Sequence, residues 1–322
     1  MQRRFYLKIA AALLPLTVAT TALAQEYPVR PITLVAPFSA GGALDLIARA
    51  MAEKLQAQFG QAVVVDNKAG AAGMIGTTHV ARSAPDGYNL VLGATTTHGI
   101  NPVLYKKMQY DVLKDFEPVP LIATIPHMIV VHPDLPVRNM QELIKLGREK
   151  PLNFGSAGTG SPHHLAGELL KSQFNLKAEH IPYKGSAPAM LAVMSGELQF
   201  MSVEVTAAMP HIKAGKLKPI AIASAQRVPG LDFPTFAEQG IPNFEVTAWY
   251  AIFAPKNTPK PVVDKLHRAL AKAVSEEDVK VRFAGLGATP VGGTPAQLDK
   301  WVREELARWS QAVKVSGTPL VE

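Results

Sequence analysis

Leu152-Asn153-Phe154-Gly155-Ser156-Ala157-Gly158-Thr159-Gly160-Ser161-Pro162-His163-His164-Leu165 decides how this chain is read. A short apolar strand over 152–154 runs into a loop, 155–161, of three glycines, three hydroxyl residues and one alanine, and a helix follows from His163 to Phe174. Small residues let a ligand approach the backbone, and hydroxyls can donate to it. The free N–H groups and dipole of a helix start favour an anion. Two more loops have the same chemistry. Pro37-Phe38-Ser39-Ala40-Gly41-Gly42 joins a strand, 32–36, to a helix, Ala43 to Phe59, that carries Asp45 in its first turn. Gly93-Ala94-Thr95-Thr96-Thr97-His98-Gly99 follows a strand over 89–92. One such loop is better read as a plain connection with a Ser or Thr cap. Three in one chain point to an anion-binding cleft beyond the carboxyl ends of the strands.

Outward from these loops, short apolar runs alternate with amphipathic ones. Strands are expected at 63–65, 128–131, 179–181, 200–203 and 220–223, and helices at 74–83, 140–149 and 187–195. Strand–helix alternation predicts an α/β protein with parallel sheets covered by helices. Two extended apolar runs, 121–131 and 244–254, are long for single strands within one domain and suit a two-domain hinge. After Pro255 only helices are evident, at 261–274, 276–284 and 295–314, with Pro261 and Pro295 suited to first turns.

The chain has 322 residues, 48% hydrophobic and 18% charged, which is a folding composition with length for about two domains. The formal charge is +7. Without residues 1–24 it is +4, 30 basic residues against 26 acidic, spread with no basic tract, so no nucleic-acid partner is expected. The first 24 residues read as a secretory signal: Arg3, Arg4 and Lys8, then an apolar stretch from Ile9 to Ala19, then Ala22-Leu23-Ala24 before a mature start at Gln25. The rival reading is an N-terminal anchor, for which that stretch is too short. The twin arginines fit either of two export routes. No later run reaches ~18 apolar residues, so the mature protein is expected to be soluble. Cysteine is absent, which excludes thiol catalysis, disulfides and cysteine metal sites. HExxH, GxSxG, SxxK, GxGxxG and P-loop signatures are missing, and Gly70-x-x-Gly73-x-x-Gly76 reads as a tight loop entering a helix. His163 and His164 are adjacent, about 100° apart on a helix, and chelate one ion poorly. No catalytic residue, metal or cofactor is expected.

The ordered motifs resemble the Bug-type periplasmic solute receptors that serve tripartite tricarboxylate transporters. They are Tyr27-Pro28-x-Arg30-Pro31-Ile32, Pro37-Phe38-x-Ala40-Gly41-Gly42-x-x-Asp45-x-x-Ala48-Arg49, Asn67-Lys68-x-Gly70-Ala71-x-Gly73-x-x-Gly76 and Ala84-Pro85-Asp86-Gly87-Tyr88. Ile100-Asn101-Pro102-x-Leu104-Tyr105 follows, then Asn153-Phe154-Gly155-Ser156-x-Gly158-x-Gly160-Ser161-Pro162-x-His164-Leu165 and His180-x-Pro182-Tyr183-Lys184-Gly185. His211-Ile212-Lys213-Ala214-Gly215-Lys216 and Trp249-Tyr250-x-x-Phe253-Ala254-Pro255 complete the series.

The resemblance implies a type II periplasmic binding fold, a Venus flytrap of two α/β domains joined by two crossing strands, with the C-terminal helices packed back on the first domain. On this reading residues 1–24 are the signal, 25–125 with 250–322 form domain 1, 126–249 form domain 2, and the ligand lies between them. The implied function is capture of a small organic carboxylate, a dicarboxylate or aromatic carboxylate being favoured, by a periplasmic monomer. Hinge closure would deliver it to the membrane subunits of the transporter. Contacts carried over from the family are Phe38, Ser39, Ala40, Gly41, Thr95 and Thr96 from domain 1, and Ser156, Thr159, Gly160, Ser161 and Tyr183 from domain 2. His163 and Gln199 stand where the family often has a small residue and Asp; His163 could bond a second carboxylate, and Glu204, after the strand 200–203, would pair with a ligand ammonium or oppose a dianion. Gln199 is expected to support the sheet, Trp249 to pack the hinge, and Lys184 not to act as counterion. The alternatives are a receptor that reports to a sensor kinase, and an exported hydrolase using Ser156 or Ser161 with His163 or His164.

Overall fold

The computed structural model describes residues 27–224, 226–228 and 230–322, so the export signal expected over 1–24 lies outside them. The first unit opens with β1 (Ile32–Ala36), α1 (Ala43–Phe59), β2 (Val63–Asn67), α2 (Met74–Ala81) and β3 (Asn89–Ala94). α1 forms where the spacing predicts it. Leu44, Ile47, Ala48, Met51 and Leu55 make its buried stripe, and Gly60, at φ 67, ends it with its N–H on the Gln56 carbonyl. A helical turn over 95–100 and α3 (Asn101–Leu104) then lead into β4 (Phe116–Val131), a strand of 16 residues.

The second unit continues with α4 (Met140–Glu149), β5 (Leu152–Ser156), α5 (Pro162–Phe174), β6 (Ala178–Pro182), α6 (Ser186–Met194), β7 (Phe200–Glu204), α7 (Val205–Lys213) and β8 (Lys218–Ile222). β9 (Thr247–Pro255) returns to the first unit, followed by α8 (Lys260–Ser275), α9 (Glu277–Gly285), β10 (Thr289–Gly292) and α10 (Pro295–Ser316). Gln199 supports the sheet as expected, its side-chain oxygen accepting the Asn153 N–H at 2.7 Å.

The strand order is β2-β1-β3-β9-β4-β7-β5-β6, with β10 and β8 also on β4. β1 runs parallel to β2 and β3, and β5 parallel to β6 and β7, as strand–helix alternation requires. The sheet is nevertheless mixed, because β9 and β4 are antiparallel to their neighbours. β4 belongs to both halves: Phe116 to Pro126 pairs with β9, and His127 to Val131 pairs with β7. The return crossing lies beside it, where the His127 N–H donates to Val246 and the Val246 N–H to Ala223. These are the two crossings that the long apolar runs foretold, in a fold of two α/β domains.

Three details correct the expectations. The segment after Pro255 is not all helical: β10 pairs antiparallel with β4 around Leu121–Thr124. Gly93 is strand rather than loop, and a Cβ there would sit 2.5 Å from the His98 ring. The C-terminal helices do not all return to domain 1. α8 and α9 do, through Leu266, Leu270 and Phe283. α10 divides: Leu298 and Val302 pack in the first domain, whereas Trp309, Ala312 and Val313 join Phe154, Leu165 and Phe200 in the core of the second.

Candidate functional site

A cleft of about 480 Å³ opens between the two halves. Its floor is β9, at Ala248, Trp249 and Tyr250. Its walls are helix starts: Gly42, Ala43 and Leu44 of α1, Pro162 of α5, Ser186 of α6, and Thr206 and Ala207 of α7, with Ala94, Thr95 and Thr96 leading into the helical turn. Among the described residues no side chain caps α1, α6 or α7, so their first N–H groups are open to a ligand, and no lysine or arginine lines the cleft. Four α-helix N-termini from both domains thus supply its positive potential, as partial charges fixed in the backbone.

The loop from Phe38 to Gly42 is held by a buried carboxylate. Asp45, 3% exposed, accepts the Gly41 N–H at 2.9 Å, Arg49 Nε at 3.0 Å and Asn67 Nδ2 at 3.0 Å. Asn67 Nδ2 also donates to the Phe38 carbonyl at 3.1 Å. Burial alone would raise the Asp45 pKa, but the bonds from Arg49, Gly41 and Asn67 outweigh it and lower it.

Of the residues named from sequence, Phe38, Ser39, Thr95, Thr96 and Glu204 line the cleft. Thr95 also accepts the Trp249 N–H at 2.8 Å. Ala40 and Gly41 lie in the same loop, exposed and off the lining. The glycine–hydroxyl loop of 155–161 turns its polar groups on itself. Ser156 Oγ lies 2.5 Å from His180 Nε2 and accepts the Gly158 N–H at 3.0 Å. Ser161 Oγ caps α5 by accepting the His164 N–H, and the Gly160 N–H donates to His164 Nδ1 at 3.0 Å. Thr159 is exposed, and the Tyr183 hydroxyl donates to Glu197 at 3.0 Å. None of these five reaches the lining, where Pro162 alone represents that segment. Lys184 is exposed and outside it.

His163 is buried behind the wall with Nε2 2.9 Å from Glu204 Oε2. Trp249 is fully buried, and its indole N–H donates to Glu305 Oε2 at 2.8 Å, which fits a hinge-packing role. The sequence reading passed over Ser186, Thr206, Ala207 and Tyr250. α7 begins directly after β7, with no glycine–hydroxyl loop to announce it. Gly185 before Ser186 and Tyr250 in the Trp-Tyr motif were the available signals.

Three imidazoles in domain 2 are kept from protonation by burial, which pushes His127, His164 and His180 each down to about 4. Glu204 moves the other way. Burial opposes its ionisation, yet His163 and His127 beside it more than reverse this and hold its carboxyl well below the usual range.

Two α/β domains on paired crossing strands, with helix starts converging on the cleft between them, define a two-domain solute-binding receptor. The sequence profile of the tripartite tricarboxylate transporter family receptors matches residues 47–318, and the chain belongs to that family. BugT of Bordetella pertussis (strain Tohama I) is 36% identical over 307 residues, 94% of this chain and 94% of that protein. The solved structure of R. palustris Rpa4515 with adipate is similar at a TM-score of 0.81 and 36% identity, covering 91% of this chain and 100% of that one. MatC of Rhodopseudomonas palustris with bound malate is similar at 0.75 and 34%, covering 89% and 100%. The fold is that of the periplasmic binding proteins, as the type II resemblance implied.

Proposed function

We propose that this protein is a periplasmic receptor that captures a small organic carboxylate, of dicarboxylate or aromatic-carboxylate size, and delivers it to the membrane subunits of a tripartite tricarboxylate-type transporter. The observation that carries this reading is the convergence of four α-helix N-termini, from both domains, on one cleft that no lysine or arginine lines among the described residues. Such a site favours a compact anion that reaches both walls at once. The adipate and malate of the two R. palustris structures support the ligand class.

Domain 1 is taken as 25–125 with 250–322, although the end of α10 reaches over to the core of domain 2, and domain 2 as 126–249. The hinge is placed on the two crossing strands, and a ligand that bridges the walls biases closure about it. The receptor acts as a monomer and without turnover. Ser156 and Ser202, which contact His180 and His127, are both buried and off the cleft lining, so neither is placed to attack a ligand. Among the described residues no helix is long and apolar enough to cross a membrane.

The test is a thermal-shift and calorimetry screen of residues 25–322 against aliphatic dicarboxylates, citrate, acidic amino acids, and benzene and pyridine carboxylates. Saturable binding is expected, and a ligand at about 100 times its Kd stabilises by roughly 2.7 kcal/mol. No shift with any carboxylate at millimolar concentration would refute the reading.

A further inference from the structure

The cleft built for an anion also contains one. Glu204 sits at the start of α7, lines the cleft, and keeps 24% of its side chain exposed. Its Oε2 takes the bond to His163 Nε2 at 2.9 Å. Its Oε1 makes no hydrogen bond to the described residues; the nearest imidazole nitrogen, His127 Nε2, is 3.7 Å away. His163 Nδ1 is buried and has no partner among the described residues. His163 thus orients Glu204 through one oxygen, the carboxyl is held in its charged form, and the other oxygen is left to meet a ligand.

Glu204 shares the cleft lining with the Tyr250 hydroxyl, which can donate as well as accept, and it is the one acidic side chain in that lining among the described residues. A ligand whose only charges are carboxylates places one of them against Glu204, which repels it. A ligand with a cationic nitrogen there donates to Glu204 Oε1 and is attracted by its charge.

We propose that Glu204 is the specificity-determining residue of the cleft: it selects carboxylates that also carry a positively charged nitrogen over those that carry none. This rests on the carboxylate-receptor reading and narrows it.

The experiment is isothermal titration of residues 25–322 with pairs of ligands that differ by the ammonium alone: aspartate and succinate, glutamate and glutarate, 4-aminobutyrate and butyrate. Adipate and malate serve as further ammonium-free probes. Parent protein is expected to bind the amino member of at least one pair at least about tenfold tighter than its partner. Glu204→Gln, which keeps size and an acceptor but not the charge, is expected to erase that preference, with the amino member weakened and its partner bound as well or better. Glu204→Ala is expected to erase the preference likewise, and it provides the test should the Gln variant fail to fold. Equal or tighter binding of the ammonium-free members by parent protein overturns the proposal while leaving the receptor reading standing. An undiminished preference in Glu204→Gln does the same. Failure of every carboxylate to bind overturns both.

Discussion

Replacing Asp45 tests whether the loop from Phe38 to Gly42 is shaped from beneath. Asp45→Ala removes an acceptor that holds the Gly41 N–H, Arg49 Nε and Asn67 Nδ2, at 2.9, 3.0 and 3.0 Å. Bonds to a charged group contribute ~1.5–3 kcal/mol each when buried. Here Gly41 and Arg49 are exposed and regain water, so the three together are expected to contribute about 2–3 kcal/mol rather than their sum. At ~2.1 cal/mol/K per residue over ~300 residues, unfolding carries ~0.6 kcal/mol/K, and the variant should melt about 3–5 °C below the parent. The pH dependence has a defined sign. The folded pKa of Asp45 is lowered, so its contribution is fully present above the unfolded carboxylate value near ~4 and is lost as pH falls through the folded one. The gap between parent and variant melts should therefore hold from neutral pH to about 4 and close below it. Carboxylate affinity should fall about tenfold, because Phe38 and the α1 start lose their support. Scanning calorimetry across pH with parallel titrations reads all three. A variant that melts within ~1 °C of the parent at neutral pH and keeps its affinity would refute the reasoning.

Other perturbations address the hinge and the cleft walls. Glu305, 2% exposed, accepts both the Trp249 and Trp309 indoles at 2.8 and 2.9 Å, so Glu305→Ala should destabilise by about 2–4 kcal/mol in urea melts, whereas Glu305→Gln, which keeps an acceptor, should lose under ~1. Gly73 lies at φ 83, where a Cβ would meet Thr97 at 2.6 Å and the Phe38 ring at 3.0 Å. Gly73→Ala should lower stability by ~1–3 kcal/mol and weaken ligand binding by displacing Phe38, which paired calorimetry and titration would show. The Thr206 hydroxyl donates across the cleft to the Leu286 carbonyl. Thr206→Val should shift small-angle scattering of the unliganded protein toward a larger radius of gyration, and an unchanged profile would remove that bond as a link between domains.

Much of this architecture could be read from residue spacing because the helices are amphipathic and the strands apolar. α1 runs from Ala43 to Phe59 as its stripe and Gly60 dictate. β4 was only half legible. Pro126 interrupts the apolar run 121–131 and Pro118 and Pro120 precede it; Pro118 and Pro120 lie at a register irregularity and Pro126 at the switch between domains, where a strand tolerates proline. β10 has four residues, Pro290 among them, and shows no alternation that could identify it. The first wall of the cleft was legible because Phe38-Ser39 and Thr95-Thr96 stand where strands end and helices begin. The second wall was not. The glycines and hydroxyls of 155–161 suggested a ligand loop, but in the structure Ser156 and Ser161 satisfy their own backbone. The helix starts that do reach the cleft, at Ser186 and Thr206, contribute main-chain N–H groups, which every residue possesses and which therefore leave little trace in sequence.

The divided packing of α10 bears on when the protein can fold. Trp309, Ala312 and Val313 complete a core whose other members, Phe154, Leu165 and Phe200, precede them by more than about 100 residues. Farther on, the Val321 N–H donates to the Leu104 carbonyl, and its own carbonyl receives the Lys106 N–H. These closures span about 200 residues, and their entropic cost is recovered only once the distant segment is present. A growing chain therefore lacks part of its second core until Trp309, Ala312 and Val313 have been synthesised, which favours an unfolded nascent polypeptide over one that folds as it emerges.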